Sequence, residues 1–195
     1  MTRNVAPGPL EPGLAREILD AVASGFSDQI QFTEEMMRYP SLRGQEHTAQ
    51  TCFYDALASR GYAMDRWAID VAEIEDHPGF SPVKVDYSNA INVVGTHKPT
   101  TIQGRSLILN GHVDVVPTGP LEMWARPPFE PCIDGGWLYG RGGADMKAGL
   151  CANVFALDAL RGLGLQPTGT VHVQSVTEEE CTGNGALSAL VRGYR

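Results

Sequence analysis

Apolar residues recur every three to four positions in five stretches of the chain, and this spacing places them on one face of a helix. In the first stretch the stripe is Leu14, Ile18, Leu19 and Val22. A Pro- and Gly-rich segment, residues 1–13, precedes it, and we expect this segment to be flexible. The predicted helices cover residues 14–23, 28–39 (with Asp28 as N-cap and Pro40 as stop), 46–60 and 148–163, and a last one begins at residue 186.

Shorter apolar or alternating stretches predict strands, because side chains two residues apart in a strand share a face. The predicted strands cover residues 62–69, 89–95 and 170–177, the run from Leu107 to Leu109, and a hairpin at 133–140 that turns at Asp134-Gly135-Gly136. The alternation of strands with helices predicts an α/β fold. We expect one domain, residues 14–195, with a mixed, mainly parallel central sheet and helices on both faces.

The composition argues against several classes of function. The 195 residues are 43% hydrophobic and 19% charged, as in a soluble globular protein. The formal net charge is −8 without a basic run, which argues against nucleic-acid binding. No stretch reaches the roughly 20 apolar residues that span a bilayer, so no membrane partner is expected. The N-terminus lacks the apolar core of a secretory signal and the four cysteines are scattered, so we expect a cytoplasmic protein.

The first candidate chemistry follows the apolar run that begins at Leu107. His112 and Asp114 are two residues apart, so a strand end presents them side by side. An imidazole next to a carboxylate suits a metal site or a proton relay. A histidine alone in this position would be interpreted as a buried core residue. The neighbouring carboxylate favours a ligand instead, because a carboxylate on the far nitrogen fixes the tautomer of a ligating histidine.

Further acidic groups lie later in the chain. Asp145 follows a Gly-rich approach to a predicted helix, and by itself it would be interpreted as an N-cap. The triplet Glu178-Glu179-Glu180 ends a predicted strand. Three adjacent carboxylates at a buried strand end repel one another unless a cation or a proton intervenes, although a solvated charged turn is a common alternative. In α/β sheets ligands gather at the carboxyl ends of the strands, where these groups fall.

Three motifs of this sequence resemble the signatures of one enzyme group. They are Gly-His-Val-Asp-Val-Val-Pro at 111–117, Tyr-Gly-Arg-Gly-Gly-Ala-Asp-Met-Lys-Ala-Gly at 139–149 and Thr-Glu-Glu-Glu-Cys-Thr-Gly-Asn-Gly-Ala at 177–186. The group comprises acetylornithine deacetylase, succinyl-diaminopimelate desuccinylase, aminoacylase and related metallo-carboxypeptidases. The motifs occur in the group's order, and the resemblance extends from about residue 28 onward.

The resemblance implies two divalent metal ions about 3.5 Å apart, most often zinc, with cobalt or manganese as alternatives. His112 would bind one ion, Glu180 would bind the other, and Asp145 would bridge both. The peptide bond from Asp145 to Met146 would be cis. The matched ligands are too few to close either site. We therefore expect the metal site of this chain to be incomplete.

The resemblance also assigns two catalytic roles. Asp114 would orient His112, and Glu179 would be the general base, which takes a proton from the attacking water and passes it to the departing amine. The implied reaction is a deacetylation of acetylornithine type, which releases a carboxylate and a free amino acid from an N-acyl amino acid. A dipeptidase, a carboxypeptidase or a desuccinylase would use the same chemistry.

Members of this group are longer than the present chain. They carry a lid domain through which they form homodimers, and two later metal ligands that have no counterpart here. We therefore expect this chain to be the N-terminal part of the catalytic domain, truncated before the lid, with little activity alone. The competing class is a non-catalytic truncated paralogue that binds a partner through the uncovered surface.

Overall fold

The computed structural model describes residues 8–195, and its secondary structure begins with one long helix. Helix α1 spans Pro12–Met37. Proline suits the first turn, because the N–H that it lacks would have no partner there. Residues 14–23 and 28–39 were predicted as two helices, and this prediction is wrong. Of the predicted flexible segment 1–13, Pro12 and Gly13 are helical, and residues 1–7 lie outside the described part of the chain.

Tertiary packing explains why α1 continues through the expected break. Ala21, Gly25 and Gln29 lie one turn apart on a single face of α1, and all three are half-buried. One turn further, the ring of Phe32 lies 6.2 Å from the ring of Phe155, in the helix that packs against α1. Because α1 packs along that helix, the tendency of Asp28 to begin a new helix does not interrupt α1.

The remaining elements largely follow the predicted ones. Helices α2, α3 and α4 span His47–Ser59, Ala148–Gly162 and Asn184–Val191. Strands β1 to β6 span Ala63–Ala68, Ile91–His97, Leu107–His112, Cys132–Asp134, Trp137–Tyr139 and Val171–Val176. Strands β4 and β5 form the predicted hairpin.

The four long strands form one mixed sheet in the order β1-β2-β6-β3. Strand β2 pairs with both β1 and β6 antiparallel, and β3 pairs with β6 parallel. The mixed α/β fold is confirmed, but the prediction that the sheet is mainly parallel is wrong for the described strands. Parallel neighbours need a long crossover, which α3 provides between β3 and β6. The connections on either side of β2 contain no α-helix.

Helices cover both faces of this sheet, as predicted. Val93 of β2 belongs to a core that includes Phe53 of α2 and Leu150 of α3. The next residue, Val94, points to the other face and packs near Ala189 of α4. Each face therefore buries its own apolar layer. No helix among the described residues has the combined length and apolar character needed to cross a membrane.

Candidate metal centre

The parallel pair of strands brings the first and last motifs together. His112 ends β3 and lies opposite Val176 of β6 in the register of the sheet. The chain after each strand therefore leaves the sheet at the same edge. Asp114 and the segment 178–180 follow within a few residues of these strand ends, which brings Asp114, Glu179 and Glu180 close to His112. His112 is 4% exposed, so its ring is almost fully buried.

A tight turn before α3 supplies Asp145. The turn includes Gly142, which has a φ of 76°. A Cβ at Gly142 would lie 2.6 Å from a methyl carbon of Val115, so the turn packs directly against the chain that follows Asp114. Asp145 has a non-helical φ of −124° and ψ of 102°, and its peptide bond to Met146 is cis, as the resemblance predicted. Asp145 therefore projects towards the sheet edge and does not begin helix α3.

Lys147 fastens this turn to the end of α1. Its ammonium group donates hydrogen bonds to the carbonyl oxygens of Met36 at 3.0 Å and Tyr39 at 2.7 Å. Met36 lies in the last turn of α1 and Tyr39 two residues after its end, where main-chain carbonyls lack the regular partners of a helix interior. Burial lowers the pKa of Lys147 to about 8.

Three side chains converge at the sheet edge. The ligand atoms of His112, Asp145 and Glu180 all lie within 4.8 Å of one another. His112 Nε2 is 3.0 Å from Asp145 Oδ1 and 3.5 Å from an oxygen of Glu179. His112 is the only one of the five histidines in this cluster of described residues. His172 instead contacts the Thr96 hydroxyl at 2.9 Å and the ring of Tyr194.

Asp114 lies on the far side of the imidazole, where its main-chain carbonyl, and not its carboxylate, is the hydrogen-bond partner of the ring. His112 Nδ1 is 3.0 Å from the main-chain carbonyl oxygen of Asp114 and 3.6 Å from its carboxylate. The other carboxylate oxygen accepts the main-chain N–H of Glu180 at 3.0 Å. Asp114 therefore connects the imidazole to the backbone of the acidic segment.

The electrostatics of the cluster favour a positive charge at its centre. Burial lowers the pKa of His112, but the adjacent carboxylates of Asp114 and Glu179 outweigh burial and raise this pKa to about 9. Burial and the nearby charge of Asp145 raise the pKa of Glu180. The carboxylates thus repel one another and attract a cation to this position.

The three converging side chains fit a divalent metal ion. An imidazole nitrogen with carboxylate oxygens is a donor set that zinc, manganese and cobalt accept. The 3.0 Å between His112 Nε2 and Asp145 Oδ1 is close to the roughly 3.3 Å between two ligand atoms of one tetrahedral zinc ion. Three protein ligands leave a fourth position open, as in catalytic sites.

The comparison with known families agrees with this geometry. Residues 108–195, which include all the converging side chains, match peptidase family M20/M25/M40. Over this segment the chain is similar to that family.

Among curated relatives of this chain, a deformylase of N-formyl-4-amino-5-aminomethyl-2-methylpyrimidine from Halalkalibacterium halodurans is 45% identical over 109 residues. The match covers 55% of this chain and 26% of that protein. A succinyl-diaminopimelate desuccinylase from Delftia acidovorans is 32% identical over 154 residues, which are 79% of this chain and 36% of that protein. The chain thus spans about a quarter to a third of these relatives.

Solved structures support the fold. Human carnosine dipeptidase 1 superposes with a TM-score of 0.69 at 18% identity, over 85% of this chain and 35% of that chain. The dipeptidase Dug1p from Saccharomyces cerevisiae gives a TM-score of 0.66, also at 18% identity, over 85% of this chain and 35% of that chain. At this identity the likeness establishes the architecture alone.

One member of the acidic triplet lies outside the cluster. Glu178 is 2% exposed and accepts two hydrogen bonds of 2.6 Å from the guanidinium of Arg43, and another of 2.6 Å from the hydroxyl of Tyr87. Burial opposes ionisation, but these donors outweigh it and lower the pKa of Glu178. The repulsion expected among three carboxylates is therefore relieved for this one by Arg43.

The sequence analysis did not identify Arg43 or Tyr87. Neither residue lies in one of the three motifs. Both are more than 90 residues from Glu178. No local pattern marks such a partner, since only the fold brings the three side chains together.

Proposed function

We propose that this chain carries the metal-binding and proton-transferring groups of an enzyme that hydrolyses a linear amide bond in a small N-acylated compound. The proposal is supported above all by the convergence of His112, Asp145 and Glu180 within 4.8 Å at one sheet edge. The names of the curated relatives, a deformylase and a desuccinylase, support amide hydrolysis. A more specific form of this proposal is deacetylation of acetylornithine type, in which the acyl group removed is an acetyl group.

The metal ligands in this proposal are His112, Asp145 and Glu180. Asp145 is the bridging ligand if two ions bind, as the resemblance implies, and zinc is the first candidate. A bound divalent ion would polarise the substrate carbonyl and lower the pKa of a water molecule. The exposed side of the cluster is where substrate enters, since the Asp145 side chain is 76% exposed and the Glu179 side chain 52%.

Glu179 is the general base in this proposal. Its carboxylate lies 3.5 Å from His112 Nε2 and is more exposed than Glu178, so it can reach both water and substrate. It would accept a proton from the attacking water and return it to the leaving nitrogen. Asp114 would hold the imidazole in place from the buried side through its carbonyl oxygen and carboxylate.

Calorimetric titration with zinc tests the ligand assignment. We expect the wild-type chain to bind zinc and His112→Ala to lose this binding, because the variant removes the only imidazole of the cluster. His77→Ala is the matched control, since it removes an exposed imidazole from a loop. Equal zinc binding by wild-type protein and His112→Ala would refute the metal centre.

Turnover tests the role of Glu179. N-formyl, N-acetyl and N-succinyl amino acids and a dipeptide are offered to the zinc-loaded protein at high protein concentration, because the chain alone is expected to have little activity, and release of the amine is followed. Glu179→Gln should bind zinc as the wild type does and lose a factor of about 10² to 10⁴ in rate, the usual contribution of a general base. A variant with unchanged rate would remove Glu179 from this role.

A further inference from the structure

The side chain of Glu178 binds other partners than those of Glu179 and Glu180, which lie beside His112. Its carboxylate is buried, and the donors that contact it are Arg43, Tyr87 and the Thr182 hydroxyl at 3.0 Å. Two parallel bonds from one guanidinium fix the orientation of a carboxylate more firmly than a single bond does. The side chain of Glu178 is thus held in one position directly before Glu179 and Glu180.

The backbone of Glu178 makes the turn that aims its neighbours. Among the described residues, Glu178 is the only non-glycine residue with a positive φ, at 65°. Residues that carry a side chain rarely adopt this backbone conformation. The carbonyl oxygen of Glu178 accepts N–H groups from Thr182 at 2.9 Å and from Gly183 at 2.7 Å. The chain therefore reverses around Glu178, and the reversal places Glu179 and Glu180 beside His112.

The loop that carries Arg43 is itself tied to the other side of the cluster. Ser41 donates its hydroxyl hydrogen to the carbonyl of Val113 at 2.5 Å, and its own carbonyl accepts the N–H of Val115 at 3.0 Å. Both contacts flank Asp114. Through this loop, Arg43 links the chain that follows β3 with the turn that follows β6.

We propose that Arg43 is a positioning residue, whose paired hydrogen bonds to Glu178 hold the turn that presents Glu179 and Glu180 to the metal cluster. This inference rests on the proposed function. Arg43 itself contacts none of the cluster residues through a described hydrogen bond, and it acts through Glu178. Side chains that orient the ligands of a metal typically contribute a factor of about 10 to 100 in affinity.

Zinc titration of Arg43 variants tests the proposal, and cobalt absorption spectra report on the ligand geometry. Arg43→Met should bind zinc about 10 to 100 times more weakly than the wild type and give an altered cobalt spectrum. Arg43→Lys should recover part of the affinity, because an ammonium keeps the charge but cannot form the paired bonds. Circular dichroism and thermal unfolding establish that each variant is folded at the titration temperature.

The matched control is Arg192→Met. Arg192 also makes two bonds to one carboxylate, Asp65 at 2.8 and 3.0 Å, and a tyrosine hydroxyl again donates to that carboxylate at 2.8 Å. Asp65 lies in β1, and β2 and β6 separate it from β3. Arg192→Met should leave zinc affinity and the cobalt spectrum unchanged, and it should destabilise the fold less than Arg43→Met, because the Asp65 side chain is 30% exposed and that of Glu178 only 2%.

The outcomes separate this inference from the proposed function. If the wild-type chain binds no zinc, the proposed function itself fails. If the wild type binds zinc and Arg43→Met binds it equally well, or Arg192→Met weakens it as much, Arg43 is not a positioning residue. Should Arg43→Met not fold, Arg43→Lys and Tyr87→Phe decide, since each removes only part of the contact to Glu178. Unchanged zinc affinity and cobalt spectra in both would overturn the proposal.

Discussion

At the scale of single residues, the carboxyl group of Glu46 is buried without a hydrogen bond from the rest of the described chain. Glu46 is 1% exposed, and neither of its side-chain oxygens has a hydrogen-bond partner among residues 8–195. Burial raises its pKa from 4.5 to about 7, and the charges of Asp114 and Glu178 add to the rise. A raised carboxyl pKa means that the fold disfavours the charged form. Glu46 therefore costs stability as the pH rises from about 4.5 to 7, and the full cost persists above that window.

Glu46→Gln should therefore stabilise the protein at pH 8, by up to about 3 kcal/mol, and should have little effect near pH 4. The neutral amide avoids the buried charge and can donate a hydrogen bond. Urea unfolding at a series of pH values measures the difference. Glu122→Gln, at an exposed turn, serves as the control and should change stability little at either pH. A destabilised Glu46→Gln at pH 8 would contradict this interpretation.

At the scale of elements, helix α4 begins in unusually close contact with β6. A Cβ on Gly185 would overlap the carbonyl oxygen of Thr177, the residue after β6. The buried side chain of Asn92 bridges the two, since it donates to the Gly185 carbonyl at 2.8 Å and accepts the N–H of Thr177 at 3.1 Å. This contact fixes the two ends of the turn that contains Glu178.

Gly185→Ala should cost about 3 kcal/mol, because the methyl group meets backbone that cannot move aside. Gly25→Ala provides the contrast. Gly25 lies in the interior of α1, and a Cβ there would meet nothing within 4 Å, so this variant should gain about 1 kcal/mol from helix propensity. Thermal or urea unfolding measures both changes. A neutral Gly185→Ala would show that α4 can shift on the sheet.

At the scale of the whole molecule, burial is unevenly distributed. All six residues of β6 are buried or half-buried, whereas the buried residues of α1 are confined to Thr33, Met36 and Met37. The earlier turns of α1 expose Leu19 (65%) and Phe26 (54%). The centre of the sheet should therefore be the most stable region, and the beginning of α1 should open most readily.

Native-state hydrogen exchange should show this gradient. We expect the slowest amides in β2 and β6, and exchange before residue 28 of α1 that is faster than anywhere in α2 or α3. The comparison is made at two protein concentrations, because self-association through the exposed side chains of α1 would slow its exchange at the higher one. Protection of early α1 equal to that of β6 in dilute solution would contradict the prediction.

Much of this organisation could be predicted from the sequence, because the relevant signals are local. The two-residue spacing of His112 and Asp114 at a strand end, the hairpin turn at Gly135 and Gly136, and the helical stripe of α3 each depend on neighbouring residues alone. Such patterns determine which elements form and which polar groups stand at their ends. The continuity of α1 was not predictable in this way, because its packing against α3 overrides the local signal at Asp28.

Only the tertiary structure determined which partner each side chain of the glutamate triplet contacts. Sequence by itself determined that three carboxylates follow a buried strand, and the motif that contains them. It could not determine that Glu178 turns towards Arg43 while Glu180 turns towards His112, because these partners are distant along the chain. The interaction between two charged groups that are distant in sequence depends on how close the backbone brings them. Here the antiparallel pairing of β2 with β6 and the parallel pairing of β3 with β6 determine these distances.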